Sequence, residues 1–540
     1  MRPIVEIAKD MGLSVADLEF HGRDIAKIPL AAFPKISGQT PLVIVTAMTP
    51  SPPGEGKTTT SIGLVDGLSR IGRRPVLTLR EPSMGPFFGI KGGGTGGGMA
   101  RVEPEADINL HFTGDAHAVA SAHNLLAAMT DAAAYHGTVS GLDPSLITWR
   151  RVTNAEERSL RRIVSGLGGR SNGPMREAGF DIDAASEIMA ILALATGYDD
   201  LRARLSRMVV GSTRDRNPVT ASDVGAVGPM MALLRDALKP NLVQTREGTP
   251  AVIHTGPFGN IAHGNSSILA DRLAAACGDI IVTEAGFGAD LGFEKFVHIK
   301  TRMGGFPPSV AVVVVTVRAL KYHGGYGKND GPTNEVALEQ GLQNMEHVIG
   351  LVLDAGVKAV VAVNRFPDDT TEEIRVIQRV ALNVGAHAVV ESHGFSKGGD
   401  GTVEMAKIVA DAAKDPVQLN YAYALDESPE DKIKKLAQKF YGAANVQWDP
   451  VAVRQTQRFI SQGAENLPIC MAKTNRSISA NPTLLGRPTG HTFPIVEMRL
   501  SAGAGFLIPL AGTIQTLPGL PREPNALGMD LDGNGKVVIP

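Results

Sequence analysis

The chain has 540 residues, of which 43% are hydrophobic, and a formal net charge of −2. This balance allows a buried core and excludes an intrinsically disordered chain. The 61 glycines and 34 prolines exceed an average composition, but they follow no Gly-X-Y period, which excludes collagen. The surplus glycine is therefore predicted to lie in loops of a folded protein, where the backbone can approach a ligand closely.

The first elements along the chain predict a βαβ unit. Amphipathic segments at residues 4–11 and 15–20 predict two short helices. The apolar run LVIVTAM, at residues 42–48, lies between prolines and predicts a buried parallel strand. Residues 58–71 have apolar positions near helical spacing, and residues 75–79 predict the next strand. Strand, glycine-containing loop, helix and strand together form the unit.

The alternation of helices and strands continues through most of the chain. Residues 155–167 predict a charged helix and residues 184–195 an apolar one. Three further apolar runs predict strands that lead into glycine or polar loops, at residues 279–283, 310–317 and 357–363. Ligands of open α/β sheets bind at such carboxyl ends of strands. After about residue 450, short strands and turns predict a compact C-terminal domain.

The strongest single motif is TPSPPGEGKTTT, at residues 49–60. It departs from the strict P-loop pattern because Ser51 stands where the first glycine belongs, but a predicted strand enters it and a predicted helix leaves it. Backbone N–H groups around Gly54 and Gly56 can surround phosphate oxygens, and Lys57 can reach the β- and γ-phosphates. Thr58 can place its hydroxyl on Mg²⁺. The alternative is an ordinary Pro/Gly turn with a surface lysine.

A second glycine cluster, REPSMGPFFGIKGGGTGGG at residues 80–98, follows the next predicted strand. Glycine at this density is usual in flexible linkers. A linker gains nothing from Arg80 and Glu81 at a strand end or from Lys91 within it, whereas a loop around a small anionic ligand does. This cluster therefore predicts a second part of the binding site.

The sequence indicates a cytoplasmic protein without nucleic-acid or membrane partners. The near-neutral charge gives no electrostatic reason for either partner, and the apolar run at residues 310–317 is too short for a membrane helix. The N-terminal residues have no apolar core of a signal peptide. Cys277 and Cys470 fit no metal motif; one disulfide is conceivable, but reduced thiols are the preferred interpretation.

Both glycine clusters, together with DINLHFTGDAHAV, GPFGNIAHGNSS, VTEAGFGADLGFEKF, TVRALKYHGG, NRFPDDT and LPICMAKT, resemble the formate–tetrahydrofolate ligase family. The resembling blocks run in order along nearly the whole chain. The resemblance implies that ATP phosphorylates formate to formyl phosphate and that N10 of tetrahydrofolate then takes the formyl group. It also implies Mg²⁺, activation by a monovalent cation (K⁺ or NH₄⁺) and a homotetramer.

With the resemblance, the predicted fold is α/β. A P-loop-type nucleotide-binding domain with a mostly parallel sheet is predicted over residues 1–345. Two smaller α/β domains are predicted to follow, a folate-side domain over residues 346–450 and a compact C-terminal domain over residues 451–540.

The resemblance assigns site residues position by position. Lys57 and Arg80 match the residues that hold the nucleotide and formyl phosphate, and Glu81 and Asp115 match positions near the monovalent cation and the phosphate; these four are the predicted catalytic residues. Phe366 matches an aromatic residue that stacks on the pterin. Thr58 is also the predicted metal ligand. The predicted nucleotide-loop residues are Thr49, Pro50, Gly54, Glu55, Gly56, Lys57, Thr58 and Thr59.

Two departures from the family pattern concern the folate side. Phe395 stands where the family usually has tryptophan on the other side of the pterin, so it can stack with less area and without an indole N–H. Arg101 stands where glutamine is expected after the glycine run, which adds positive charge near the folate path. Two other functions stay open at this point, a regulatory P-loop ATPase and a folate-binding protein without turnover.

Overall fold

The computed structural model describes residues 1–36, 38–327 and 334–539. Its centre is a 12-stranded sheet, and the smaller sheets have two strands each. In chain order the strands are β1 (Glu19–Phe20), β2 (Ala26–Lys27), β3 (Leu42–Ala47), β4 (Pro75–Leu79), β5 (Gly96–Gly97), β6 (Ala100–Glu103), β7 (Arg151–Thr153), β8 (Ile163–Ser165), β9 (Arg176–Ala178), β10 (Phe180–Ile182), β11 (Val209–Ser212), β12 (Pro218–Thr220), β13 (Asn241–Thr245), β14 (Pro250–Ile253), β15 (Ile280–Glu284), β16 (Pro308–Val315), β17 (Lys358–Asn364), β18 (Ala388–Ser392), β19 (Ala443–Trp448), β20 (His491–Ile495), β21 (Glu497–Ser501), β22 (Phe506–Leu510), β23 (Asp530–Leu531) and β24 (Val537–Val538).

Helices cover both faces of the large sheet. They are α1 (Ile4–Asp10), α2 (Lys57–Arg70), α3 (Met84–Phe88), α4 (Glu105–Asn109), α5 (Asp115–His136), α6 (Glu187–Leu194), α7 (Tyr198–Ser206), α8 (Val227–Leu234), α9 (Ile268–Cys277), α10 (Val317–His323), α11 (Asn334–Asp354), α12 (Thr371–Val384), α13 (Gly394–Lys397), α14 (Val403–Ala412), α15 (Pro429–Lys439) and α16 (Pro450–Ser461). Among the described residues, no helix is both long and apolar enough to span a membrane.

The large sheet follows the order β1-β2-β13-β14-β4-β15-β3-β16-β17-β18, with β6 on β13 and β5 on β6. Every pairing from β14 to β18 is parallel. The alternate valines of β16 face opposite sides: Val313 joins one apolar core and Val312 the other. A strand that is buried on both faces reads as a continuous apolar run, which is why the sequence identified it.

The predicted α/β class and the mostly parallel sheet are confirmed, and the strands at the predicted positions agree within two residues. Helices α2 and α6 lie where helices were predicted. Cys277 and Cys470 are buried free thiols, as predicted.

Two predicted helices are wrong. Residues 155–167 contain a single 3₁₀ turn, Arg158–Arg161, followed by strand β8. Here Arg161 donates from Nε to the Leu517 carbonyl at 2.8 Å, so contacts with a distant segment override the local helical pattern. Residues 15–20 form a 3₁₀ turn and then β1, because the edge of the sheet takes up that segment through pairing with β2.

The three-domain division stays a prediction. Its first boundary, at residue 345, falls inside α11, and β17 and β18 continue the large sheet beyond it. A separate apolar core lies farther along the chain and includes Tyr441, Phe493 and Leu507. This core packs β19–β22 with α15 and α16.

Candidate functional site

The predicted site residues follow neighbouring strands of the parallel sheet. Arg80 follows β4, Glu284 ends β15, and the loop of residues 49–56 follows β3. Phe366 and Phe395 follow β17 and β18, which pair in register up to Asn364 and Ser392. Because parallel strands end at one edge of the sheet, the fold brings these groups to a single surface in the order β4, β15, β3, β16, β17, β18.

The loop of residues 49–56, called the phosphate loop below, has the backbone shape that phosphate binding requires. Gly54 and Gly56 have φ of 78° and 79°, and Gly56 caps the N-terminus of the 14-residue helix α2. Glycine takes these left-handed angles without strain. The free N–H groups of the first helical turn then point out of the helix beside the half-buried Lys57. This geometry supports the predicted roles of Gly54, Gly56 and Lys57.

Thr49, at the start of the phosphate loop, is held on three sides. Its N–H donates to Asn344 Oδ1 at 3.1 Å, and Asn344 Nδ2 donates to Thr49 Oγ1 at 2.9 Å. His323 donates from Nε2 to the Thr49 carbonyl at 2.8 Å, and burial lowers the pKa of His323, which favours the neutral ring. Asn344 also donates to the Gly486 carbonyl at 2.9 Å, so the phosphate loop is tied to the C-terminal part of the chain.

The end of the phosphate loop has its own supports. Glu55 accepts from the Ser51 N–H at 2.6 Å, which closes the loop on itself. Asn364 donates from Nδ2 to the Glu55 carbonyl at 2.7 Å and accepts from Thr60 Oγ1 at 3.1 Å. Asn364 therefore positions the loop. Pro50 is half-buried in the loop.

Thr58 and Arg80 meet through a glutamate that sequence reasoning missed. Thr58 Oγ1 donates to Glu284 Oε2 at 2.5 Å, and the other carboxylate oxygen of Glu284 lies 3.8 Å from Arg80 Nη2. The available signal was a carboxylate directly after the strand predicted at residues 279–283, in VTEAGFG. Only the structure shows that this strand pairs with the one that enters the phosphate loop. A hydroxyl and a carboxylate are oxygen ligands of the kind Mg²⁺ prefers, so these two residues fit that ion.

Thr58, Arg80 and Glu284 line a cavity of about 370 Å³, called the Arg80 cavity below. The Arg80 side chain is partly exposed to it, and its guanidinium can bind phosphate oxygens with two parallel hydrogen bonds. The other polar residues of the wall are Glu81, Ser83, Lys91 and Glu156, and the apolar ones include Leu79, Pro86, Phe87, Ile90, Ile182 and Phe258.

Glu81, in the wall of this cavity, and Asp115 are both buried and lie close together. Lys27 Nζ lies 2.8 Å from both carboxylate oxygens of Asp115, and Asn241 Nδ2 donates to Asp115 at 2.8 Å. Burial first, and then the like charge of Asp115, raise the pKa of Glu81 well above its usual range. Among the residues that the structure describes, Glu81 Oε2 has no hydrogen-bond partner. Lys27, the counter-charge of this pair, was not found from the sequence.

The two predicted stacking residues lie in different surroundings. The Arg318 guanidinium lies 4.0 Å from the ring centroid of Phe366, and Arg318 Nη2 also donates to the Gly54 carbonyl at 3.2 Å. Phe366 is thus linked to the phosphate loop. Phe395 is 65% exposed, and its segment is the one that approaches the second glycine cluster.

Glycine is required where helix α13 (Gly394–Lys397), called the Phe395 segment below, meets that cluster. A Cβ on Gly97 would lie 3.2 Å from the Phe395 ring and 3.8 Å from Thr59 Oγ1, and one on Gly98 would collide with the Phe395 carbonyl. The glycines thus let Phe395 and the first turn of α2 come together. Arg101 donates to Glu105 at 2.7 Å, so much of the charge expected near the folate path is already paired.

Comparisons with known proteins identify the family of the chain. A family model described as formate–tetrahydrofolate ligase matches residues 1–539. The chain is 52% identical to the formate–tetrahydrofolate ligase of Roseiflexus sp. strain RS-1, over 100% of this chain and 97% of that protein. It is 50% identical to the enzyme of the same name from Paracoccus denitrificans, over 99% and 97%, and 49% identical to that of Myxococcus xanthus, over 100% and 98%. The chain therefore belongs to the formate–tetrahydrofolate ligase family.

Proposed function

We propose that the protein joins formate to N10 of tetrahydrofolate with cleavage of ATP to ADP and phosphate. The observation that carries this proposal is the contact chain from Thr58 through Glu284 to Arg80. It links Thr58, which follows Lys57, to the Arg80 guanidinium in the same cavity. A nucleotide and a second, smaller anion can therefore bind side by side there.

The chemistry proceeds in two steps. A formate oxygen attacks the γ-phosphorus of ATP, the bond to the β-phosphate oxygen breaks, and ADP leaves; the product is formyl phosphate. N10 of tetrahydrofolate then attacks the formyl carbon, phosphate leaves with the electron pair of the C–O bond, and N10 loses a proton. Lys57 and Arg80 stabilise the charge on the transferred phosphoryl oxygens in both steps. Phosphorylation is needed because formate alone would have to expel oxide.

Two ions fit residues of the site. Thr58 and Glu284 would hold Mg²⁺, which neutralises phosphate charge when it is bound. Oε2 of Glu81 has no hydrogen-bond partner in the described part of the chain and lies close to Asp115. It suits a monovalent cation, whose charge would favour ionised Glu81. Phe366 and Phe395 are proposed to flank the pterin. The homotetramer and the cytoplasmic location remain expectations from the resemblance and the sequence.

The test is the formation of 10-formyltetrahydrofolate with ATP, formate and tetrahydrofolate, omitting each in turn, with ADP measured in parallel. We expect product only with all three. ADP release at the same rate without formate and tetrahydrofolate would instead indicate a regulatory ATPase. Binding of tetrahydrofolate without any product would indicate a binding protein.

Lys57→Ala separates these functions further. Removing the ammonium group leaves the γ-phosphate charge uncompensated, so we expect turnover to fall by about 1,000-fold or more. The dissociation constant for tetrahydrofolate, measured by isothermal titration calorimetry, is expected to stay within about twofold of that of the unchanged protein, since Phe366 and Phe395 are intact. Loss of folate binding in this variant would show that Lys57 also contributes to binding tetrahydrofolate.

A further inference from the structure

The Arg80 cavity is larger than a phosphorylated formate requires, and part of its wall is apolar. Pro86, Phe87, Ile90 and Phe258 line this part. Phe87 is buried, whereas Phe258 is half-exposed and Ile90 is 68% exposed, so this wall faces open space rather than a closed core. Exposed apolar side chains grouped in a concave surface are typical of a ligand site.

Phe258 is held rigidly in that wall. Its N–H donates to the Ala184 carbonyl at 2.9 Å, and its ring packs with Ile182, Ala184 and Leu517. The segment that contains Leu517 is fastened in turn, because Arg161 donates to the Leu517 carbonyl and Arg158 to that of Leu520. An aromatic face fixed from behind in this way can orient a flat ligand at little entropic cost.

A second cation belongs to the same cavity. Lys91 lies at the exposed mouth beside Ile90, and its Nζ is 5.9 Å from the centroid of the Phe258 ring. No salt bridge involves Lys91 within residues 1–36, 38–327 and 334–539, although Glu156 also lines the cavity. The cavity thus offers Arg80 inside, an aromatic face, and an ammonium group at its opening.

The covalent structure of tetrahydrofolate matches the order of these groups in the cavity, from Arg80 through the Phe258 ring to Lys91. N10 is bonded directly to the benzoyl ring, and the ring carries the glutamate. If N10 reacts with a formyl group whose phosphate is bound by Arg80, the ring attached to N10 must lie within the same cavity. We propose that the Arg80 cavity is the subsite for the p-aminobenzoyl group, which packs on Phe258, and that Lys91 at the mouth binds a carboxylate of the glutamate. This inference rests on the proposed function.

The first test compares two substitutions of Phe258. Phe258→Leu keeps an apolar side chain but removes the flat face, so we expect KM for tetrahydrofolate to rise about two- to tenfold with KM for ATP unchanged. Phe258→Tyr keeps the ring and is expected to stay within about twofold of the unchanged enzyme. Equal rises of both KM values in Phe258→Leu would show that the ring only supports the fold, and would overturn the proposal.

The second test combines a substitution of Lys91 with a substrate that lacks the glutamate. The amide of tetrahydropteroate contains N10 and the benzoyl ring but carries neither the glutamate nor any other carboxylate. We expect Lys91→Met to raise KM for tetrahydrofolate about three- to tenfold and to leave KM for this amide unchanged. Lys434→Met, an exposed lysine on α15, is the matched control and should change neither.

The outcomes separate this inference from the proposed function. If the unchanged enzyme forms no 10-formyl product with either substrate, the proposed function fails. If it forms product, and Lys91→Met either raises both KM values equally or changes neither, then the function stands and the assignment of Lys91 is wrong. A KM effect confined to tetrahydrofolate supports the subsite.

Discussion

The phosphate loop and the Phe395 segment lie at the same edge of the sheet but are held in different ways. Polar side chains from distant segments, His323, Asn344 and Asn364, fix the backbone of the phosphate loop at both ends. Phe395 keeps a ring that is 65% exposed, and its segment is placed by close approaches of glycine backbone. A site for phosphoryl chemistry needs preorganised groups, whereas a stacking site can be completed by its ligand.

Helix α2 connects the two regions. Its N-terminus ends the phosphate loop, and its middle supports the segment after Phe395, because Thr402 donates from its hydroxyl to the Gly63 carbonyl at 2.5 Å. Glu247 accepts from the Gly399 N–H at 2.8 Å and from Arg70 at 2.9 Å on the same side. Substitutions in each of the two regions can therefore test whether the regions act separately.

The largest effect in this comparison is expected from Arg80→Lys. Lysine keeps the positive charge but cannot make two parallel hydrogen bonds to phosphate oxygens, so we expect kcat to fall about 100-fold. The measurement is steady-state formation of 10-formyltetrahydrofolate. Arg73→Lys, at a surface arginine paired with Asp279, is the matched control and should remain near full activity. An undiminished kcat in Arg80→Lys would show that charge alone is sufficient there.

The pH dependence of stability tests whether Asp66 is protonated in the folded protein. This residue lies on α2, near the segment that follows Phe395. Thr245 and Thr249 donate to one of its oxygens at 2.7 Å, and burial raises its pKa to about 7. The folded protein then holds a proton that the unfolded chain releases near pH 4, so Asp66 lowers the free energy of unfolding as pH rises toward 7.

Asp66→Asn removes this titration and keeps the acceptor oxygen. We expect the variant to gain stability relative to the unchanged protein between pH 4.5 and pH 7, by about 2–4 kcal/mol over the whole range. The measurement is denaturant unfolding across that range of pH. Parallel curves for the two proteins would mean that Asp66 is ionised throughout.

Asn344→Leu is expected to damage the phosphate loop selectively. The substitution leaves the Thr49 N–H and the Gly486 carbonyl without their partner, each at a cost of about 1–3 kcal/mol. We expect KM for ATP to rise about tenfold or more, while KM for tetrahydrofolate changes by less than about twofold. If only thermal stability falls and both KM values persist, Asn344 fastens the C-terminal part of the chain and does not position the loop.

The smallest effect is expected at Phe395. Phe395→Trp enlarges the stacking face, and we expect KM for tetrahydrofolate to fall about two- to fourfold, with Phe395→Ala raising it by about the same factor or more. KM for ATP should be unaffected in both variants. A response of ATP binding to these substitutions would show that Phe395 faces the nucleotide rather than the pterin.

The loops that carry the candidate site could be located from local sequence, whereas the roles given to Glu81, Asp115 and Phe366 came from the family resemblance and stay predictions. The phosphate loop and Arg80 follow apolar runs directly, and a strand buried on both faces is visible as such a run. The helix predicted at residues 155–167 failed because its charged pattern serves contacts with the segment near Leu517, which lies hundreds of residues away. No local pattern carries that information.

By itself, the sequence determined the α/β class and the strands that the two glycine clusters follow, because strand burial and glycine loops are visible in neighbouring residues. Only the tertiary structure decided which distant side chains complete the site. Glu284 bridges Thr58 and Arg80 because β15 lies between β4 and β3 in the sheet. Strand order depends on packing across the whole molecule, and so does the meeting of Phe258 and Lys91 at one cavity.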